Sequence, residues 1–265
     1  MMMNFHMLTE FWNERSPAWG IILLATFAYT AAVQRQRVSR WQIACFIVAA
    51  ATLALALASP LAAIASRYSF SAHMMQHLLL LLIVPLFAIL AWPSSSIPAT
   101  GEVSRASNRD AIAMGWLAGV GAMWFWHVPA LCNAAMQHSA VFAIQATSLV
   151  AAGAAFWWPV FRPQHQRRLP PHLAAAYLFS GCIGCSLLGI YITFSPISVC
   201  PLYASGGGSP ELMRLVHQQW GLTHRLDQEV GGLLMWVPAC MVYLGAILAR
   251  FSGWYQVPEG RLAPE

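Results

Sequence analysis

Seven runs of 17 to 24 mainly apolar residues follow one another along this chain, each long enough to cross a lipid bilayer as a helix. They are Pro17–Val33, Trp41–Ile64, Phe70–Trp92, Asp110–His127, His138–Phe161, His172–Ser195 and Glu229–Phe251. Lipid offers the backbone no hydrogen-bond partners, so such a run must be a helix or a barrel strand, and these are too long for strands. The expected fold is therefore all-α: a polytopic bundle of seven transmembrane helices forming a single integral membrane domain over residues 1–265. Composition agrees, since 9% of residues are charged against roughly 25% in soluble domains. Pro60 and Pro85 lie in or near spans, where a proline kinks or ends a helix.

All fourteen basic residues are arginine, and they alternate in density between successive loops. Arg35, Arg37 and Arg40 follow the first run, Arg105 and Arg109 the third, Arg162, Arg167 and Arg168 the fifth, and Arg250 and Arg261 lie in the tail. The intervening segments hold only Arg15, Arg67, Arg214 and Arg225. Positive loops stay in the cytoplasm, so the N-terminus is expected outside and the C-terminus cytoplasmic. The net charge of +5 is then an orientation signal and calls for no nucleic-acid partner. Glu10 and Glu14 precede the first run and the basic cluster follows it, so this run reads as an uncleaved anchor. Trp12, Trp19, Trp41, Trp92, Trp116, Trp126, Trp158 and Trp254 fall near helix ends and read as an interfacial aromatic belt.

With that orientation, His6, His73, His77, His127, His138, His217 and His224 lie outside or at outer helix ends, while His165 and His172 lie inside. His73 and His77 are four residues apart in SFSAHMMQHLLLLL and share one helix face, with Met74 beside them. His127 ends the fourth run at similar depth, His138 opens the fifth, and Asp227 stands just before the last. Imidazole, thioether and carboxylate at one depth suit a transition metal, and a His/Met mixture favours copper. The competing reading is that helix-end histidines bind interfacial water and headgroups, and that Asp227 and Glu229 favour the positive end of a helix. His217 and His224 are about 10 Å apart if helical, too far to share one ion.

Cys132 and Cys200 fall in outer loops, where an oxidising compartment could join them. Cys182 and Cys185, in SGCIGCSLLG, sit among Gly181, Gly184, Ser186 and Gly189, a spacing that allows close helix packing. Cys45 and Cys240 read as small apolar residues. The Gly-rich stretch 206–210 occupies the longest outer loop and is expected to be mobile. No nucleophile elbow, P-loop or dinucleotide fingerprint is present, so the chain does not read as an enzyme.

Four segments carry a family resemblance: HMMQHLLLLLIVPLFAILAWP at 73–93, WHVPALCNAAM at 126–136, FWWPV at 156–160 and DQEVGGLLMWVP at 227–238. In that order, over roughly residues 60–250, they resemble the CtaG-like multi-span membrane family linked to assembly of caa-type cytochrome c oxidase. That family is distinct from the single-span copper chaperone sharing its name. The resemblance implies a multi-pass protein of the bacterial cytoplasmic membrane that helps build a haem-copper oxidase. Its implied partners are the oxidase subunits, the lipid bilayer and a copper chaperone. It implies copper as the metal and His73, His77, His127 and Asp227 as its ligands; Met74 and His138 are additional candidates by their placement in this chain. One position departs: aligned on FWWPV, a family histidine is expected where this chain has Ala146, after Gln145.

The leading expectation is an assembly factor acting in copper delivery or cofactor-site maturation at the outer face. The alternatives are a haem-binding electron carrier, with axial histidines from two helices, and a copper transporter. The transporter lacks an obvious path inward apart from Cys182, Cys185 and Cys240.

Overall fold

The computed structural model describes residues 12–13, 16–34, 38–93, 105–163, 168–205 and 213–255. Every regular element among them is helical: α1 (Pro17–Gln34), α2 (Arg40–Ala58), α3 (Pro60–Arg67), α4 (Phe70–Ala91), α5 (Arg105–Trp126), α6 (Pro129–Gln137), α7 (Ser139–Phe161), α8 (Pro171–Phe194), the single turn α9 (Leu202–Ser205) and α10 (His224–Tyr255). A π-helical turn, Arg214–Gln219, precedes α10. The 206–210 stretch expected to be mobile lies outside the described residues, as do His6 and His165.

By length and composition, α2, α4, α7, α8 and α10 can cross a membrane, and α5 with α6 makes a sixth span broken by a 76° bend. The apolar part of α1, Pro17–Ala32, is shorter. The count among the described residues is thus five to six where the apolar runs suggested seven. The run Trp41–Ile64 is not one helix. Ser59 ends α2 in an extended conformation, accepts from the Leu61 N–H at 3.1 Å, and donates to the Leu55 carbonyl. Pro60 then opens α3, where its fixed φ and missing N–H suit a first turn.

Inside α4, residues Leu79–Ile83 form a π-helical turn just before Pro85, which has no N–H to give the Leu81 carbonyl. Gly153 of α7 packs against that carbonyl and the Pro85 ring, and a Cβ there would collide with both. Between α8 and α10 the approach is equally close, because a Cβ on Gly232 would meet Thr193 and the Gly189 carbonyl. These contacts bear out the expectation that small residues around Cys182 and Cys185 serve helix packing. One buried apolar cluster runs through α2, α4, α5, α7, α8 and α10, with Phe156 and Trp157 among its largest members.

The aromatic belt is only partly present. Trp41, Trp92 and Trp158 are exposed, but Trp126 is buried and donates its indole N–H to Ser148 at 2.9 Å. Trp116 likewise donates to Ser180 on α8. An indole with a hydroxyl in reach is satisfied inside the bundle and does not need the interface.

The two ends of the bundle differ chemically. At one, Arg250 donates to the Leu169 carbonyl at 2.9 Å and Arg168 to the Arg162 carbonyl at 2.7 Å. At the other, a disulfide joins Cys132 to Cys200, although Cys132 lies within α6 and not in a loop as expected, and Tyr203 donates to the Ala65 carbonyl.

Candidate functional site

The start of α4 sets the site. Ser69 caps the helix by accepting from the Ala72 N–H at 3.2 Å. Asp227, in the first turn of α10, then closes over the same turn. Its Oδ2 accepts from the Phe70 N–H at 2.6 Å, and its Oδ1 from the Ser71 N–H at 3.0 Å and the Ser69 and Ser71 hydroxyls. A buried carboxylate is thereby matched to the free donors of a helix N-terminus. It also locks α4 to α10 one turn before His73.

His73 and His77 follow on the inward face of α4, both buried, with ring centroids 4.4 Å apart. His127 arrives from the bend between α5 and α6, and its ring lies edge-on to His77 at 5.2 Å. The bend itself comes from Pro129 at the start of α6, which disfavours helix in the residue before it. His127 Nδ1 lies 2.5 Å from the Met123 carbonyl, so that nitrogen carries the proton and donates. The lone pair on Nε2 is then left facing Met74 Sδ at 3.1 Å. Nε2 of His73 and both ring nitrogens of His77 have no hydrogen-bond partner among the described residues.

His73, His77, His127 and Met74 therefore come together. Asp227 stands close by, but its oxygens are engaged by four donors from Ser69, Phe70 and Ser71. His138 is exposed at the junction of α6 and α7. Among the described residues, no three His, Cys, Asp or Glu side chains stand in ion-holding geometry as they are.

The spacing argument for His217 and His224 fails. Their rings are 4.9 Å apart, because the π-helical turn ends at Gln219 and Gly221, at φ 66°, folds the chain back before α10 begins. Residues joined by a turn do not keep a helical rise.

Three polar neighbours were not singled out from the sequence. Gln76 is buried beside the cluster and donates to the Ala56 carbonyl at 2.6 Å, tying α4 to α2. Gln145 of α7 is fully buried next to His77, and its amide nitrogen has no partner among the described residues. Tyr203 places its ring 6.0 Å from His73. The signal available was a polar amide inside an apolar run, which membrane burial makes costly without a role. At the position where a histidine was expected, Ala146 is buried, and it is its neighbour Gln145 that turns to the cluster.

A cleft of about 490 Å³ reaches the site between α3 and the α6–α7 corner, with Ser59, Arg67, His73, Gln76 and Met136 on its walls. His73 is thus both a member of the cluster and part of the wall.

Fold and site together define a polytopic helical membrane protein with a buried imidazole–thioether centre near one end of its bundle. The chain belongs to the cytochrome c oxidase caa3 assembly factor family (Caa3_CtaG), whose model matches residues 25–257. That span includes every residue of the centre and extends the resemblance seen in the four segments toward the N-terminus. No curated protein and no solved structure matches the chain.

Proposed function

We propose that this protein is a non-catalytic assembly factor that handles copper as cargo for a caa3-type oxidase, at the outer face of the bacterial cytoplasmic membrane. One observation carries the reading. With the His127 proton on Nδ1, Nε2 of His127 and Sδ of Met74 are two lone-pair donors 3.1 Å apart. Neither atom has a proton to place between them, and a cation relieves that opposition. The unpartnered nitrogens of His73 and His77 add two more neutral donors in a buried site. Imidazole plus thioether is a donor set suited to copper, and its softness favours the monovalent state. The cleft beside His73 offers the cargo a route to the centre.

In this reading His73, His77, His127 and Met74 hold the ion, while Asp227 fixes the helix that carries three of them. Seven spans, with the N-terminus outside and the C-terminus cytoplasmic, put the centre on the outer side. The arginine contacts at the opposite end of the bundle support that orientation. The haem alternative has less support, because rings in contact at 5.2 Å would have to part to admit a porphyrin.

The test is His77→Ala in cells that make the oxidase, with copper and haem content of the purified oxidase as the readout. The variant should insert normally and yield an oxidase poor in copper but normal in haem. An oxidase with full copper would refute the role, and loss of haem alone would favour the haem reading.

A further inference from the structure

A second set of soft donors lies deeper in the bundle. Cys182 stands 11 residues from the start of α8 and 12 from its end (182 − 171 and 194 − 182). Cys240 is as central in α10, 16 residues from His224 and 15 from Tyr255 (240 − 224 and 255 − 240). Their sulfurs are 2.8 Å apart across the helix interface, and both are free thiols. The Ser186 hydroxyl lies 3.4 Å from Cys240 Sγ. The C-x-x-C spacing does not make this pair. Cys185 points elsewhere and donates its thiol proton to the Met235 carbonyl at 2.9 Å. The close approach of the two helices at Gly189 and Gly232 holds the facing sulfurs together.

We propose that Cys182 and Cys240 form a separate site for one soft monovalent cation, Cu(I) or its closed-shell counterpart Ag(I). Thiolate sulfur prefers such ions. For a monovalent ion a single ionised thiol balances the charge. One thiol loses its proton to the exterior and bonds the ion as a thiolate, while the other stays protonated and donates a sulfur lone pair. The loaded pair then carries no net charge, as an apolar surround demands. A divalent ion would need both thiols ionised to reach the same neutrality, and zinc would further want four ligands where two sulfurs are offered. This site does not depend on the imidazole centre, and either can stand without the other.

Full-length protein in detergent, kept anaerobic, can be titrated with Ag(I), counting bound ions by native mass spectrometry and released protons by pH-stat. Cys182→Ser and Cys240→Ser should each lose one ion per chain and the single proton released with it, whereas Cys185→Ser and Cys45→Ser should lose neither. Cys182→Ala serves if serine at that depth prevents folding. His77→Ala should keep this ion and lose only the one assigned to the imidazole centre. If the cysteine variants bind as many ions as the wild type, the proposal falls and the imidazole reading survives. If only the cysteine variants lose an ion, this site stands and the imidazole reading falls. A wild-type pair found already joined as a disulfide, with no ion bound there, also overturns the proposal.

Discussion

Replacing Asp227 separates two accounts of how this carboxylate serves the imidazole centre. Alanine removes four hydrogen bonds at once: two from the Phe70 and Ser71 amides and two from the Ser69 and Ser71 hydroxyls. The hydroxyls can pair with each other, since their oxygens are already 2.9 Å apart. The two amides, in a buried site, cannot. A buried donor stripped of its partner costs about 1–3 kcal/mol, so Asp227→Ala should cost about 2–6 kcal/mol. Asp227→Asn can keep its oxygen at the three-donor position and strand only the Phe70 N–H, so about 1–3 kcal/mol should be lost. Thermal unfolding in detergent, read beside Ag(I) or Cu(I) binding, checks both numbers. Alanine should lower the melting temperature more than asparagine does. Ion binding should weaken in the same order, as the first turn of α4 frays beneath His73. A carboxylate that ligates the ion directly would give the reverse pattern, with binding lost in both variants and stability nearly intact. Unchanged melting of Asp227→Ala would refute the capping account.

Two further outcomes follow from the packing and the charge pattern. Gly153→Val drives a side chain into the Leu81 carbonyl and the Pro85 ring, and should cost about 1–3 kcal/mol as an overpacked contact, seen as a lower melting temperature; an unaffected variant would mean that α4 and α7 do not approach as described. A reporter fused after Glu265 should be active only in the cytoplasm and one inserted at 205–209 only outside, and a C-terminus found outside would remove the outer-face assignment of the centre.

Much of the candidate site was legible in the sequence because its key spacing is local. His73, Met74 and His77 lie within one helical turn and a residue, so a four-residue offset suffices to put the imidazoles on one face. His127 could be matched to them only in depth, by counting from the end of its apolar run. Asp227 was found for its position yet assigned a ligand's role, because nothing in its neighbourhood announces Ser69, Phe70 and Ser71 from more than 150 residues away. Gln145 was noted only as the residue before Ala146 and given no role, for the same reason: one amide in α7 looks like any other until α4 packs against it.

The sequence by itself determined the solvent, the class of element and the family. Hydrophobic run length reports directly on lipid, arginine placement on the orientation to be expected, and ordered motifs on membership, and each is a property of the chain read in one dimension. Tertiary structure alone decided which polar groups meet. It broke Trp41–Ile64 at Ser59, buried Trp126 against Ser148, and brought His217 to His224 around Gly221. It also turned Cys182 away from Cys185 toward Cys240 on another helix. Such pairings depend on rotation and depth of helices relative to one another, which small residues and prolines set at close contacts. In a bundle apolar on nearly every face, hydrophobic periodicity carries little record of which side turns inward.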